Sequence, residues 1–402
     1  MEPLILVRFV HFAATLVAGG TIWFALLLPP VAAALERRLR LLTLTALGVA
    51  IVSGAAWLLL LAADILGTSL AEALRGLWPV VTDTRFGQVS LVRLAFAVAL
   101  ALLVLRRRAD PVQGLLALGL IALPALTGHA GAKPGAAGYG TVAADMLHLT
   151  AAGAWLGGLP AFALLLASEA KGKDVAQVTR RYGRVALCAV AALALSGLVN
   201  AWSLLSGPRD LIDTDYGRLL SLKLALFATM LAVAAVNRFH LTSALPATRA
   251  RRALIRTTLS ETILGLGVVF VVAILGTTPP SGHAHPNVSS IPADSSFVHI
   301  HTAEAMADVT IDPGRIGRAT VTIRLWREDM TELPARAVRF ALDPPTNEAR
   351  LTSEHVAVRE PDGYWRVGDV ALTQEGAWTV RVIVTPREGS TIVLDAPVAI
   401  AR

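Results

Sequence analysis

Nine histidines occur in this chain of 402 residues, and their placement is its first chemical signal. His11 and His148 fall inside long apolar stretches. His129 and His283 stand at the ends of two others, and His285, His299 and His301 follow in a more polar region. Imidazole is a good ligand for copper, zinc, iron and nickel. A polar ring inside a membrane segment is costly without a partner. His11 and His148 therefore either bond a neighbouring helix or help to hold a cation. Asp145 precedes His148 by three residues and shares its helix face; it either orients the imidazole and sets its tautomer, or caps a helix. His283 with His285, and His299 with His301, share a face if the backbone is extended. Such pairs can chelate Cu(II) or simply decorate a strand, with Met306 nearby as a soft donor.

Other chemistries have little to build on. The single cysteine, Cys188, excludes an intramolecular disulfide and any Cys-rich metal centre. No GxxxxGK[ST] phosphate loop is present, so ATP-driven transport by this chain alone has no support, and no HExxH helix is present either; the chain is expected not to be an enzyme. The net charge of +7 would suggest nucleic acid in a soluble protein. Here the basic residues form short clusters between apolar runs, the pattern of cytoplasmic loops in a membrane protein. Hydrophobic residues make up 54% and charged ones 16%, against about 25% charged in soluble domains.

The elements that must position these histidines are apolar helices. A bilayer core of about 30 Å needs ~20 apolar residues in helical form. Eight segments meet or approach that length: Leu4–Leu28, Leu42–Ala63, Val89–Leu105, Val112–Thr127, Asp145–Leu166, Val185–Leu205, Leu219–Val236 and Thr258–Thr277. The first is expected to be a retained span rather than a signal peptide, its apolar run being too long. Basic clusters at Arg37, Arg38 and Arg40, at Arg106 to Arg108, at Lys171 to Arg184 and at Arg238 to Arg256 fall in alternate loops. These loops are expected to be cytoplasmic, which puts both termini on the periplasmic side. His11, His129, His148 and His283 then lie towards that outer face.

Four echoes recur in the same order along the chain. His11 with Gly19-Gly20 is answered by His148 with Gly157-Gly158, and Ser53-Gly54 with Trp57 by Ser196-Gly197 with Trp202. Asp83-Thr84-Arg85-Phe86-Gly87 with Arg93 is answered by Asp213-Thr214-Asp215-Tyr216-Gly217 with Lys223. Gly128-His129-Ala130 is answered by Gly282-His283-Ala284. The expected plan is an eight-helix polytopic α-helical membrane protein built as a 4+4 parallel repeat, known among transporters. Arg93 and Lys223 read as side chains snorkelling to head groups. Ser53, Ser196 and Asn200 read as bonds between helices.

From about Phe297 the composition turns polar and rich in Thr, Val and Arg. Period-two alternation runs through Ala319–Leu325 and Trp378–Val384, with turn signals at Asp312-Pro313-Gly314 and Pro361-Asp362-Gly363. An immunoglobulin-like β-sandwich is expected. The domains are then 1–140 and 141–280 for the two helical repeats, 281–297 for a linker and 298–402 for an extracytoplasmic β-domain.

Several of these residues form a recognisable set. His148-Leu149 leading to Trp155-Leu156-Gly157-Gly158, Tyr216-Gly217-Arg218 leading to Lys223, and Gly282-His283-Ala284 together resemble the CopD copper-resistance family. The tail, through His299-Ile300-His301, Ala307–Gly314 and Asp362-Gly363-Tyr364-Trp365, resembles the YtkA-like β-domain appended to some such proteins, as in YcnJ-type chains without their amino-terminal CopC domain. The resemblance implies a bacterial inner-membrane protein of copper import, homeostasis or resistance. It also implies a copper ion, Cu(I) or Cu(II), as the species handled, a separate periplasmic CopC-like protein as donor, and contact with membrane lipid but not nucleic acid. His11, His129, His148, His283, His285, His299 and His301 are the expected ligands, with Asp145 orienting His148. The alternative is a b-type electron-transfer protein whose haem is ligated by His11 with His129, or by His148 with His283.

Overall fold

In the computed structural model the described residues are 3–27, 33–66, 68–106, 110–127, 135–168, 172–205, 207–245, 247–278, 294–302, 305–327, 332–344, 354–387 and 389–401. The chain divides into two compact units, Met1–Ala284 and His285–Arg402.

The first unit is helical. Its principal helices are α1 (Pro3–Leu27), α2 (Ala33–Leu66), α5 (Arg85–Leu105), α7 (Gly135–Trp155), α9 (Gly172–Leu204), α11 (Asp215–Val236) and α12 (Thr248–Leu275). Among the described residues, seven stretches of helix are long and apolar enough to cross a membrane. At 1.5 Å per residue, the 25 residues of α1 extend about 38 Å, more than the ~30 Å required. Short helices α3 (Leu70–Arg75), α4 (Leu77–Asp83) and α10 (Asp210–Asp213) precede α5 and α11. The expected fourth span is shorter than the rest. Helix α6 (Pro111–Ala122) passes into a 3₁₀ turn at Leu123–Leu126, where Pro124 has no N–H to continue an α-helix. The expected fifth span is divided. Helix α7 ends at Trp155 and α8 (Leu159–Leu166) begins after Gly157-Gly158, with Pro160 in its first turn.

That glycine break is where the helices come closest. A Cβ on Gly20 would fall into the Gly157 backbone, and one on Gly157 into the Leu16 carbonyl, so α1 meets the α7–α8 junction backbone to backbone. Around the contact, Phe24, Trp155, Phe162 and Tyr182 pack with Leu159, Leu165 and Met230. A second cluster joins α1, α2, α5 and α6 through Ala18, Ile22, Leu47, Ala97, Leu100 and Leu120.

The second unit is an eight-stranded antiparallel sheet: β1 (Ser296–His301), β2 (Met306–Asp312), β3 (Gly317–Trp326), β4 (Ala335–Asp343), β5 (His355–Arg359), β6 (Trp365–Leu372), β7 (Gly376–Pro386) and β8 (Ile392–Ile400). The order is β1-β2-β3-β6-β5-β4-β7-β8. Its end strands meet, since the Ser296 hydroxyl donates to the Ala399 carbonyl at 2.6 Å, which makes the unit barrel-like. The alternating stretches in the sequence are β3 and β7. In β7, Trp378, Val380, Val382 and Val384 all turn inward onto Val309, Val321, Ile323 and Phe340. Full burial of each such aliphatic side chain is worth about 1.5–3 kcal/mol.

Candidate functional site

The basic residues of the helical unit are set in register by two matching caps. Thr84 caps α5 by accepting from the Gly87 amide at 3.0 Å, and Thr214 caps α11 by accepting from the Gly217 amide at 2.9 Å. A Cβ on Gly87 would strike the Val80 carbonyl, and one on Gly217 the Asp210 carbonyl. Each glycine thus lets the preceding short helix close onto the cap. Nine residues after each threonine come Arg93 and Lys223, two and a half turns into the helix.

Arg93 points into the bundle rather than towards head groups, correcting the snorkelling expectation. It is 5% exposed; its Nε donates to the Leu120 carbonyl at 3.1 Å, and its Nη2 lies 3.0 Å from His11 Nε2. A guanidinium has no lone pair to offer, so His11 Nε2 is the acceptor and the ring proton resides on Nδ1. That nitrogen is 3.0 Å from the Ala50 carbonyl and 3.2 Å from Ser53 Oγ on α2. His11 is 3% exposed, packed against Phe12 and Trp57, and both of its nitrogens are engaged. Arg8, one turn earlier, donates to the Gly276 carbonyl at 2.7 Å and lies over the Phe12 and Trp57 rings.

His148 repeats this arrangement on the later helices. Its Nδ1 is 3.0 Å from Ser196 Oγ on α9, with the Leu193 carbonyl beside it. Ser53 stands three residues after Ala50, and Ser196 three after Leu193. The Ser196 hydroxyl donates its own proton to the Ala192 carbonyl at 2.5 Å. His148 Nδ1 must then be the donor to Ser196, which leaves the lone pair on Nε2, the nitrogen able to ligate a metal. Lys223 occupies the place of Arg93, within electrostatic reach of His148 and Asp145. Asp145 lies ten residues inside α7, which begins at Gly135, so it is not the helix cap. Its Oδ1 accepts from Asn200 Nδ2 at 3.2 Å. The group that holds His148 Nδ1 is Ser196.

In the β-unit, His299 on β1 faces Asp308 on β2. His299 Nδ1 is 2.7 Å from Asp308 Oδ1, and Trp326 Nε1 donates to Asp308 Oδ2 at 2.9 Å. The Arg324 guanidinium stacks 4.1 Å from the Trp326 ring centre. His301 pairs in register with Met306. His129, His283 and His285 lie outside the described residues, as does the His301 side chain. Among the described residues no three His, Cys, Asp or Glu side chains form a group able to hold a metal ion. Sequence reasoning missed the Arg93–His11 bond and the part of Asp308. The echo of Arg93 by Lys223, alongside that of His11 by His148, carried a signal for the former; nothing in the sequence marked the latter.

Comparison with known proteins adds what geometry alone does not. The family profile described as "Copper resistance protein D" matches residues 176–275, and "Copper resistance protein D-like, N-terminal domain" matches residues 1–139. Copper resistance protein D of Pseudomonas syringae pv. tomato is 34% identical over 227 residues, 51% of this chain and 72% of that protein. Copper transport protein CutJ of Bacillus subtilis (strain 168) is 25% identical over 276 residues, 66% of this chain and 47% of that one. Inner membrane protein YebZ of Escherichia coli (strain K12) is 27% identical over 286 residues, 69% of this chain and 98% of its own length. No solved structure matches. The haem alternative finds no support: two of these three names speak of copper and none of haem, and both His11 nitrogens are engaged within the protein.

Proposed function

Since the chain belongs to the copper resistance protein D family, we propose that it is an inner-membrane copper-handling protein that captures the ion at the periplasmic face and passes it across the membrane. The observation that carries this reading is the twice-built constellation of histidine, serine and basic residue on His11, Ser53 and Arg93 and on His148, Ser196 and Lys223. It agrees with a four-plus-four parallel repeat. In the proposal the periplasmic unit is an immunoglobulin-like domain, and both chain termini lie on that side.

The two halves play unequal parts in this reading. In the first, the Arg93 guanidinium sits where a metal would approach His11, a tethered cation in place of a free one. His11 ligates copper only once Arg93 withdraws. In the second, His148 presents Nε2 and is the primary intramembrane ligand in this proposal, with His129 and His283 as the further ligands expected from the sequence. Imidazole donors accept Cu(I) and Cu(II) alike. In the β-unit, Asp308 holds the His299 ring through Nδ1, the way a carboxylate orients a metal-ligating histidine. His299 and His301 then take copper from a CopC-like periplasmic donor.

Cellular copper accumulation tests the proposal. His148→Ala should lower it several-fold against equally expressed wild type, and His11→Ala should lower it less. Unchanged accumulation in the double variant would remove the transport reading.

A further inference from the structure

Helix α12 carries one acidic residue, Glu261, which the copper-handling histidines do not use. Its side chain is 4% exposed, and Oε1 is buried without a hydrogen-bond partner. The Asn237 side-chain amide donates a hydrogen bond to the carboxyl. Asn237 opens a π-helical turn, Asn237–Leu241, at the end of α11; such turns are rare and recur at functional sites. Asn237 Oδ1 is also buried and unpartnered, as is the hydroxyl of Thr258, one turn before Glu261. Tyr182 of α9 is the titratable group that feels the Glu261 charge. Its hydroxyl is committed to the Trp155 carbonyl at 2.6 Å. Among the described residues no Lys or Arg is set against the carboxyl.

The place of this cluster is set by the helix pairing. Phe9 packs edge-to-face on Phe270 at 5.5 Å. His11 is two residues beyond Phe9, and Glu261 nine residues before Phe270 on the antiparallel helix. At 1.5 Å per residue, Glu261 lies about 10 Å further along the bundle than His11, away from the Arg8–Gly276 end.

The Asn237 amide serves one carboxyl oxygen, but Glu261 Oε1 and Asn237 Oδ1 each stay buried without a partner, which is expensive in such a setting. A proton on the carboxyl removes the buried charge and makes the group a donor as well as an acceptor. Hard metal cations are poor alternatives, because Glu261, Asn237 and Thr258 offer far fewer oxygens than the six or more such ions take. Intramembrane carboxyl groups facing the bundle interior are the usual parts of proton relays.

We propose that Glu261 and Asn237 form a proton-exchange site, and that passage of the copper cation is linked to the proton it holds. The proton site stands on its own geometry; the linkage rests on the copper reading. Two measurements on the full chain in lipid separate them. The first is infrared difference spectroscopy across the pH range in which the protein stays folded. A carboxyl C=O band that titrates in wild type, is lost in Glu261→Gln and returns shifted in Glu261→Asp is expected; a spectrum unchanged by Glu261→Gln overturns the site. The second is copper entry into proteoliposomes carrying an internal pH dye. Proton movement accompanying copper in wild type and lost in Glu261→Gln supports the linkage. Copper entry with no proton movement, indifferent to Glu261→Gln, overturns the linkage and leaves the copper reading standing. Proton movement replaced by a dependence on sodium ions would reassign the bound cation and overturn the proposal. No copper entry in wild type removes the copper reading and the linkage together, while the infrared result still decides the site.

Discussion

Exchanging both members of the His11–Arg93 pair should be milder than exchanging His11 alone. His11→Leu removes the acceptor of the Arg93 Nη2 hydrogen bond, 3.0 Å long, and strands a buried cation held only by the Leu120 carbonyl. Breaking a buried charged pair from one side costs about 3–5 kcal/mol. Helix-to-helix bonds in membranes run weaker than in water-soluble proteins, averaging about 0.6 kcal/mol, so the lower end, about 3 kcal/mol, is expected. Arg93→Met leaves two neutral acceptors, His11 Nε2 and the Leu120 carbonyl, at a cost of about 1–2 kcal/mol. The double variant puts apolar groups of similar size in both places, which is often neutral. Its net loss should be about 1–2 kcal/mol, giving a coupling of about 3 kcal/mol, at the upper end of the range for residues in direct contact. The assay is reversible denaturation of the four proteins in one detergent. The test is the rank order: adding Arg93→Met to His11→Leu should restore stability. A double variant as unstable as the sum of the singles would refute the buried pair.

Close backbone contact makes Gly20→Ala destabilising by about 1–3 kcal/mol, the usual cost of overpacking, because its Cβ would enter the Gly157 backbone. Gly48, whose Cβ would meet nothing, should tolerate alanine or gain up to about 1 kcal/mol; equal effects at both positions in a thermal melt would contradict the helix contact. In the β-unit, Asp308→Asn should weaken Cu(II) binding by about 10–100-fold, as loss of an orienting carboxylate does, when read by competition with a copper chelator. Unaltered affinity would mean that His299 binds without it. Asp362, hydrogen-bonded to Arg366 at 2.6 Å, has its carboxyl held below the ordinary 3.8 by that bond. A depressed carboxylate stabilises the fold above its unfolded value and loses that contribution as pH falls through the folded one. The melting temperature of Asp362→Asn should therefore lie below wild type at neutral pH and converge with it on acidification through the carboxylate range. A gap that persists in acid would place the effect elsewhere.

Much of the helical unit was legible because membrane spanning is a matter of length and hydropathy. Long apolar runs become helices wherever backbone groups have no water to bond. The two irregular spans followed from local chemistry that hydropathy averages away: Pro124 ends a helix, and Gly157-Gly158 opens one. In the tail, the alternation of Ala319–Leu325 and Trp378–Val384 revealed strands. The order in which they pair depends on contacts distant in sequence, and no period of two encodes that.

The site divides along the same line. Residue types and spacing alone determined that two histidines sit within apolar helices, each accompanied by a serine-glycine pair and a basic residue further along the chain; copper came from the resemblance to a known family and from the relatives that match. Tertiary structure decided what the nitrogens face. Arg93 lies 82 residues from His11, and only helix packing converts a side chain read as reaching for lipid into one that occupies a histidine lone pair. Ser196, 48 residues from His148, likewise sets that ring's tautomer. Hydrogen bonds select partners by distance and direction in space, quantities that hydropathy and periodicity along a chain do not contain.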